Sequence, residues 1–361
     1  MSLTEKSFYD FPNGKLTLSL TTSCNLRCVM CPVIHNNKPR SLKREQALDA
    51  ARLGAERGFG MIELSGGEPF LLPYVREAIE LACGGARLVT VTTNAALLKK
   101  EDVEFLARFS NLQIQVSFDG LADAHDAIRG KQGAFAASDA AVRALAEKGV
   151  KISLNTVVQR QNAHQLYEIY EYFSDLPYEW HGITPYEPGS ANLDQVRIAP
   201  EQGPTLRTAL ARIQEASVAA GKPVALSDDL ISAFEERIAV RDAQGGYAHP
   251  GLLCTVPRRA VFVMANGSVT PCIHLAWSKY LPMAKRQLSA ASLADIIDGD
   301  EYKNMIRRAT GIGGCPGCST MCYNFDSFFR RKMMNPNWYD SLLFDAARGW
   351  EEKKRAGRKR G

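Results

Sequence analysis

The sequence has no apolar run approaching the ~20 residues that a membrane-spanning helix needs. Its N-terminus, Met1-Ser-Leu-Thr-Glu-Lys, shows no signal-peptide pattern. A cytoplasmic protein with no membrane partner is therefore expected. Net charge is scarce too. The chain carries +5, but Lys353, Lys354, Arg355, Arg358, Lys359 and Arg360 are six cations with no acid among them, and removing them leaves residues 1–352 at −1. A nearly neutral body excludes a broad basic face for nucleic acid, and the short tail reads as a solvated terminus. No internal repeat or low-complexity stretch occurs before that tail. What remains is ordinary globular material: 361 residues, 45% hydrophobic and 23% charged, enough for one large domain and a smaller one. Nine cysteines in a reducing compartment point to metal ligands sooner than to disulfides.

Apolar runs alternate with helical spacing as far as Gly221. Strands are predicted at Lys15–Leu20, Met61–Ser65, Arg87–Thr92, Leu112–Ser117, Ile152–Val158 and Glu179–Thr184. Helices are predicted at Arg44–Arg57, Tyr74–Ala82, Glu101–Phe109, Ala136–Lys148, Leu166–Phe173 and Glu201–Ala220, with Ser41 as the N-cap of the first. Six βα units in succession imply a parallel sheet with right-handed crossovers. That is an α/β chain with fewer units than the eight of a closed barrel. After a mixed linker, Lys222–His249, the signals change to a hairpin, Ala260–Met264 and Ser268–Thr270 about the turn Asn266-Gly267. A helix at Ser292–Ile297, a cysteine knot at 315–322 and a helix from Trp338 follow. The expected division is 1–221, a linker at 222–250, a cysteine-rich domain at 251–330, and a terminal helix and tail at 331–361.

The chemistry is concentrated after the first strand, in Thr-Ser-Cys24-Asn-Leu-Arg-Cys28-Val-Met-Cys31-Pro. Iron–sulfur clusters are held by cysteine thiolates, and three thiolates leave one iron of a [4Fe–4S] cube open to a small molecule. Buried thiols or a zinc knuckle are the alternatives, although no fourth Cys or His completes a local set, and His35 reads as a loop residue. Gly66-Gly67-Glu68-Pro69 ends the second strand, its glycines permitting close backbone approach to a ligand. Thr92-Thr93-Asn94 ends the third strand and Ser117-Phe-Asp119-Gly120 the fourth. His125-Asp-Ala-Ile-Arg129-Gly130 then offers an arginine fork suited to a carboxylate, or an ordinary surface ion pair.

This arrangement resembles the radical S-adenosylmethionine (radical SAM) superfamily. The resemblance implies a partial (β/α)6 barrel and a [4Fe–4S] cluster on Cys24, Cys28 and Cys31, whose open iron is chelated by the amine and carboxylate of S-adenosylmethionine. It implies that Gly66, Gly67, Glu68 and Pro69 bind the methionine ammonium. Ser117 and Arg129 would bind the carboxylate with Asp119 nearby, and Asn94 would join the cofactor site; Asn155, on the fifth strand, is a candidate for facing the ribose or a satisfied core amide. Ala95 stands where the superfamily often has glycine, and Met30 where it often has an aromatic residue. A low-potential donor of the flavodoxin or ferredoxin type would supply the electron.

The second cysteine set, Cys254, Cys272, Cys315, Cys318 and Cys322, has the pattern CX₁₂GX₄C…CXXCXXXC. It resembles the SPASM/twitch extension of radical SAM enzymes, in which auxiliary clusters are bound. Five cysteines suit one auxiliary [4Fe–4S] cluster, with Cys322 spare or substituting for one of the pair; a zinc ribbon is the alternative. Cys83 reads as a buried thiol.

By this resemblance the protein cleaves S-adenosylmethionine to a 5′-deoxyadenosyl radical and takes a hydrogen atom from a substrate. A small alcohol such as a sugar or cyclitol is the first expectation, favoured by the twitch-like spacing and the short stretch before the first strand. A peptide maturase is the second, and a non-enzymatic iron–sulfur or zinc protein the third. His181 and Glu187, near the end of the sixth strand, are candidate bases, with Trp180 and Tyr186 beside them as substrate contacts or packing residues.

Overall fold

The computed structural model describes residues 9, 11–36, 38–186, 194–222, 224–225, 258–272, 286–288 and 291–310. Its strands are β1 (Lys15–Thr21), β2 (Met61–Gly66), β3 (Leu88–Thr93), β4 (Leu112–Ser117), β5 (Lys151–Val158), β6 (Tyr178–Pro185), β7 (Val224–Ala225), β8 (Ala260–Val263), β9 (Ser268–Thr270) and β10 (Arg286–Gln287). The helices are α1 (Pro32–Asn36), α2 (Arg44–Glu56), α3 (Val75–Cys83), α4 (Lys100–Leu106), α5 (Ala122–Arg129), α6 (Ala134–Glu147), α7 (Leu166–Tyr172), α8 (Gly203–Ala220), α9 (Leu293–Asp298) and α10 (Asp300–Thr310). The six expected strands are present, with ends displaced by a residue or two. The chain forms two compact units. One draws its described residues from 9–25, 33–92 and 258–310, the other from 26–32 and 93–225.

In the first unit β1 is central, with β2 parallel on one side and β8 parallel on the other. β3 continues the parallel set beyond β2, while β9 and β10 add antiparallel strands beyond β8. The hairpin read at Asn266-Gly267 is there, with Gly267 at φ +81, yet it does not stand apart from the parallel strands. It extends their sheet through pairs such as Lys15 with Ala260 and Leu18 with Val263. Strand alternation sends Leu16, Leu18 and Ile62 to one face, where they are fully buried. There α2 lies close because its contact stripe is small: Ala47, Ala50, Ala51 and Gly54 are buried, and a β-carbon on Gly54 would meet Leu16 Cδ2 at 2.5 Å. Ser41 does not cap this helix. Lys43 is the N-cap, its amide donating to Gln46 Oε1 (3.1 Å), and Ser41 Oγ instead pairs with Thr21 Oγ1 (2.8 Å).

On the opposite strand face of this unit the side chains are polar. Lys15 Nζ lies 2.8 Å from Glu63 Oε2, which also accepts from Thr17 Oγ1, while Glu63 Oε1 accepts from Thr92 Oγ1. Burial opposes the Glu63 charge, but Lys15 and the two hydroxyls outweigh it and hold its pKa below the ordinary value.

The second unit has β4, β5, β6 and β7 in that order, all parallel. One face is apolar and covered by helices, with Val158 and Ile183 packed against Leu166 and Tyr170 of α7 and Leu206, Leu210 and Ile213 of α8. α5 was not expected. It is short, and three of its four buried residues, His125, Asp126 and Arg129 beside Ile128, are polar ones that a hydrophobic periodicity does not register. α10 was also unread from the sequence.

Candidate active site

The first cysteine follows β1, at the carboxyl end where parallel α/β folds place their chemistry. Cys24, Cys28 and Cys31 form no disulfide. In the first unit the loop carrying Cys24 is fixed by backbone contact with the end of β2. Gly67 N–H donates to Thr21 O (2.6 Å) and Glu68 N–H to Ser23 O (2.9 Å). Gly66 has φ +134, and a β-carbon there would sit 2.3 Å from Thr21 O. At Gly67 the same atom would sit 2.1 Å from Ser23 O. The two glycines were expected to admit a ligand; the backbone they admit is that of the cysteine loop. Glu68 is fully buried, and its Oε1 accepts from Phe70 N–H (3.1 Å), capping a short turn that begins at the buried Pro69.

In the second unit Cys28 and Cys31 lie on a turn closed by Cys31 N–H to Cys28 O (3.2 Å). That turn is laced to the end of α5 through Arg27 N–H to Arg129 O (3.0 Å) and Val29 N–H to Ile128 O (2.9 Å). Gly130, at φ +66, allows the close pass, since a β-carbon would meet Arg27 O at 2.6 Å. Arg129 is buried, so the ion pair it makes is not a surface one. Its Nη2 pairs with Asp119 Oδ2 at 2.7 Å, both side chains being buried, and its Nη1 donates to Cys28 Sγ at 3.8 Å. Nε is buried without a hydrogen-bond partner. Burial opposes the guanidinium charge, but Asp119 and Cys28 override it and hold the pKa above its usual value. Asp119 Oδ1 accepts from Val157 N–H (2.8 Å), and the Asp119 amide donates to His125 Nδ1 (3.4 Å). His125 and Arg129 stand four residues apart on α5, hence on one helix face. Sequence reading did not pick out His125, although that spacing was available as a signal.

Ser117 and Asn155 are register partners on β4 and β5 and are both partly exposed. Asn94 is buried; its Oδ1 accepts from Ala96 N–H (3.0 Å) and its carbonyl from Ser138 Oγ (2.7 Å). Ala95 has φ +61, a left-handed conformation that explains why glycine suits this position.

His181 is placed away from these groups. It is register partner to Leu154, on the strand face that packs against helices, and it is fully buried. Thr156 Oγ1 donates its one proton to Phe118 O (2.7 Å), so the 2.9 Å contact with His181 must carry the proton on Nε2. Nδ1 has no partner among the described residues, and burial pulls the ring's pKa down to about 4. Such a core imidazole has no route to a substrate, which corrects its expectation as a base. Trp180 lies on the other face, over Gly182, where a β-carbon would come within 2.5 Å of the indole and 2.9 Å of Asn155 Oδ1.

Cys272 is buried just beyond β9, where Thr270 Oγ1 donates to its carbonyl (3.0 Å). Cys83 ends α3, and burial pushes its thiol up to about 12. Glu187, Cys254, Cys315, Cys318 and Cys322 lie outside the described residues. Among the described residues no helix is long and apolar enough to cross a membrane.

Residues 18–173 match the radical SAM superfamily, and residues 254–322 match the SPASM iron–sulfur cluster-binding domain. The chain carries a radical SAM superfamily domain and a C-terminal SPASM iron–sulfur cluster-binding domain. Its α/β architecture is thus a partial-barrel radical SAM fold, and the two domains imply S-adenosylmethionine and iron–sulfur clusters as cofactors. The sporulation killing factor maturation protein SkfB of Bacillus subtilis (strain 168) is 30% identical over 156 residues, 43% of this chain and 38% of that protein. The AdoMet-dependent heme synthase of Methanosarcina barkeri is 31% identical over 160 residues, 44% of this chain and 46% of that protein. The mycofactocin maturase MftC of Mycolicibacterium smegmatis is 28% identical over 313 residues, 84% of this chain and 74% of that protein. The chain spans less than half the length of the first curated relatives it matches. Streptococcus suis SuiB bound to S-adenosylmethionine shares the fold, with a TM-score of 0.62 at 19% identity over 91% of this chain and 77% of that one.

The residues of this radical SAM domain fit the implied group. The donor set is three cysteines outside any disulfide, and a guanidinium N–H donates to the sulfur of one of them, Cys28. Among the described residues the buried Arg129 Nε–H, on the same guanidinium that meets Cys28, has no acceptor.

Proposed function

We propose that the protein is a radical SAM maturase of a ribosomally made peptide. One observation carries this reading. Similarity to the mycofactocin maturase runs through 84% of the chain and so through both domains, whereas the match to the heme synthase covers 44% of it. The matched relatives include peptide maturases and a heme synthase, and no sugar or cyclitol oxidase is among those described, so the small-alcohol expectation gives way to the peptide one.

In this reading Cys24, Cys28 and Cys31 hold the cluster that binds S-adenosylmethionine. Cys254, Cys272, Cys315 and Cys318, with Cys322 as a fifth candidate, hold an auxiliary one. Bound together, cluster and S-adenosylmethionine supply a 5′-deoxyadenosyl radical able to take a hydrogen atom from a peptide. The chain's own task is placement. Glu68 and the carbonyls about Gly66 and Gly67 receive the ammonium, the remaining Arg129 N–H and Ser117 receive the carboxylate, and Asn94 and Asn155 complete the site. Glu187 remains the candidate base. A flavodoxin- or ferredoxin-type protein is the proposed electron donor.

The test is to incubate the anaerobically reconstituted, reduced protein with S-adenosylmethionine and the short peptide encoded nearest its gene. Formation of 5′-deoxyadenosine with a change in peptide mass is expected. 5′-Deoxyadenosine without any change in the peptide would overturn the substrate assignment, and intact S-adenosylmethionine would overturn the enzyme assignment.

A further inference from the structure

Two interactions of Arg129 stand at opposite ends of one guanidinium. Nη2 meets Asp119 Oδ2 at 2.7 Å, and Nη1 donates to Cys28 Sγ at 3.8 Å. Asp119 is anchored in turn by the Val157 amide at 2.8 Å, so a connected line runs from β5 through a carboxylate and a guanidinium to a sulfur. We propose that Arg129 raises the reduction potential of the cluster held by Cys24, Cys28 and Cys31 through its N–H to the Cys28 sulfur, and that Asp119 limits the size of that effect. This rests on the assignment of those cysteines to a cluster.

Reduction adds one negative charge to a cluster, and hydrogen bonds to its sulfurs and net charge beside it are the levers that set its potential. A cationic donor on a ligand sulfur favours the more negative, reduced state. Burial leaves that interaction little screened. Asp119 supplies the opposite charge to the same guanidinium and tempers it. A purely mechanical role for the side chain is not needed to hold the cysteine turn. That turn is already tied to α5 by two backbone hydrogen bonds, Arg27 to Arg129 and Val29 to Ile128, and by the close pass at Gly130. None of these uses the guanidinium.

The two partners therefore push the potential in opposite directions, a signature that loss of structure would not produce. The experiment is a redox titration of the full-length, reconstituted protein followed by electron paramagnetic resonance. The signal of interest is the one missing from a Cys24→Ala control. Asp119→Asn, which leaves the cation uncompensated, is expected to raise the midpoint. Arg129→Met, which removes cation and donor, is expected to lower it. About a tenfold change in the reduction equilibrium is expected in each case, or ~59 mV for one electron. Shifts of the same sign, or no shift in either variant, would overturn the inference. If Arg129→Met takes up no cluster, Asp119→Asn decides alone: a higher midpoint supports the inference, and an unchanged or lower one rejects it. Loss of cluster from both variants would also reject it, because the pair would then serve assembly. A wild-type protein with no signal removed by Cys24→Ala would instead defeat the cluster assignment itself.

Discussion

The α-carbon of Gly67 passes so close to Ser23 that an added β-carbon would lie 2.1 Å from the Ser23 carbonyl oxygen. Since the obstacle is backbone, Gly67→Ala must displace either the cysteine loop or the end of β2. A cost of about 2 kcal/mol is expected, together with reduced iron uptake on reconstitution. Gly58→Ala is the matched control. It meets nothing within 4 Å and suffers only from φ +69, so it should lose about 1 kcal/mol and keep its iron. Urea unfolding and iron analysis of both variants check the pair of outcomes.

Ala95 holds φ +61, where an L-residue pays about 1–2 kcal/mol. Glycine would relieve that strain but return about 0.4–1 kcal/mol through the unfolded chain. Ala95→Gly is therefore expected to be slightly more stable than the parent, by about 0.5 kcal/mol, visible as a higher thermal midpoint.

His181 is held at a pKa of about 4 by burial, below its ordinary 6.5. The unfolded chain takes up this proton near 6.5 and the folded protein only near 4, so stability falls as pH drops between those values. From pH 7 to pH 4.5 the loss from this ring is about 2–3 kcal/mol. His125, lowered to about 3 by burial and by Arg129, acts in the same direction. His181→Gln should shrink the difference in unfolding free energy between the two pH values by that amount. An undiminished difference would mean that the ring titrates normally and is not sealed in the core.

Lys15 and Glu63 form a largely buried pair at 2.8 Å. Lys15→Met leaves the carboxylate with only Thr17 and Thr92 hydroxyls and should cost about 2–3 kcal/mol. Adding Glu63→Gln should recover a good part of it, because no buried charge is then stranded. Chemical denaturation of the single and double variants measures the coupling.

Much of the fold was legible because β1 to β6 are apolar runs whose alternation or continuity is a local property of the chain. The cysteine spacing, Gly66-Gly67 and Asn94-Ala95 were legible for the same reason: each is a short segment whose backbone demands show in its residue types. What escaped depends on contacts between distant residues. Nothing near Ala260–Val263 announces that it will pair with β1, so the hairpin read as a separate body. α5 escaped because Ile128 is the one apolar side chain on a buried face otherwise made of His125, Asp126 and Arg129, polar residues that become burial-compatible only through partners elsewhere. His181 was misjudged because position near a strand end says nothing about which face a side chain occupies. A bulge between the β5 and β6 registers, where Ile152 meets Tyr178 but Leu154 meets His181, moved it to the helical side.

The seating of β8 against β1 has a consequence for how the chain is made. β1 keeps one of its two hydrogen-bonding edges unpaired until residues near Val263 have been synthesised, because on that edge Lys15 to Leu18 pair with Ala260 to Val263. An unpaired parallel edge invites association with other nascent chains. Early termination anywhere between Ala225 and Ala260 should thus yield aggregating fragments, and β8 acts as the lock on β1.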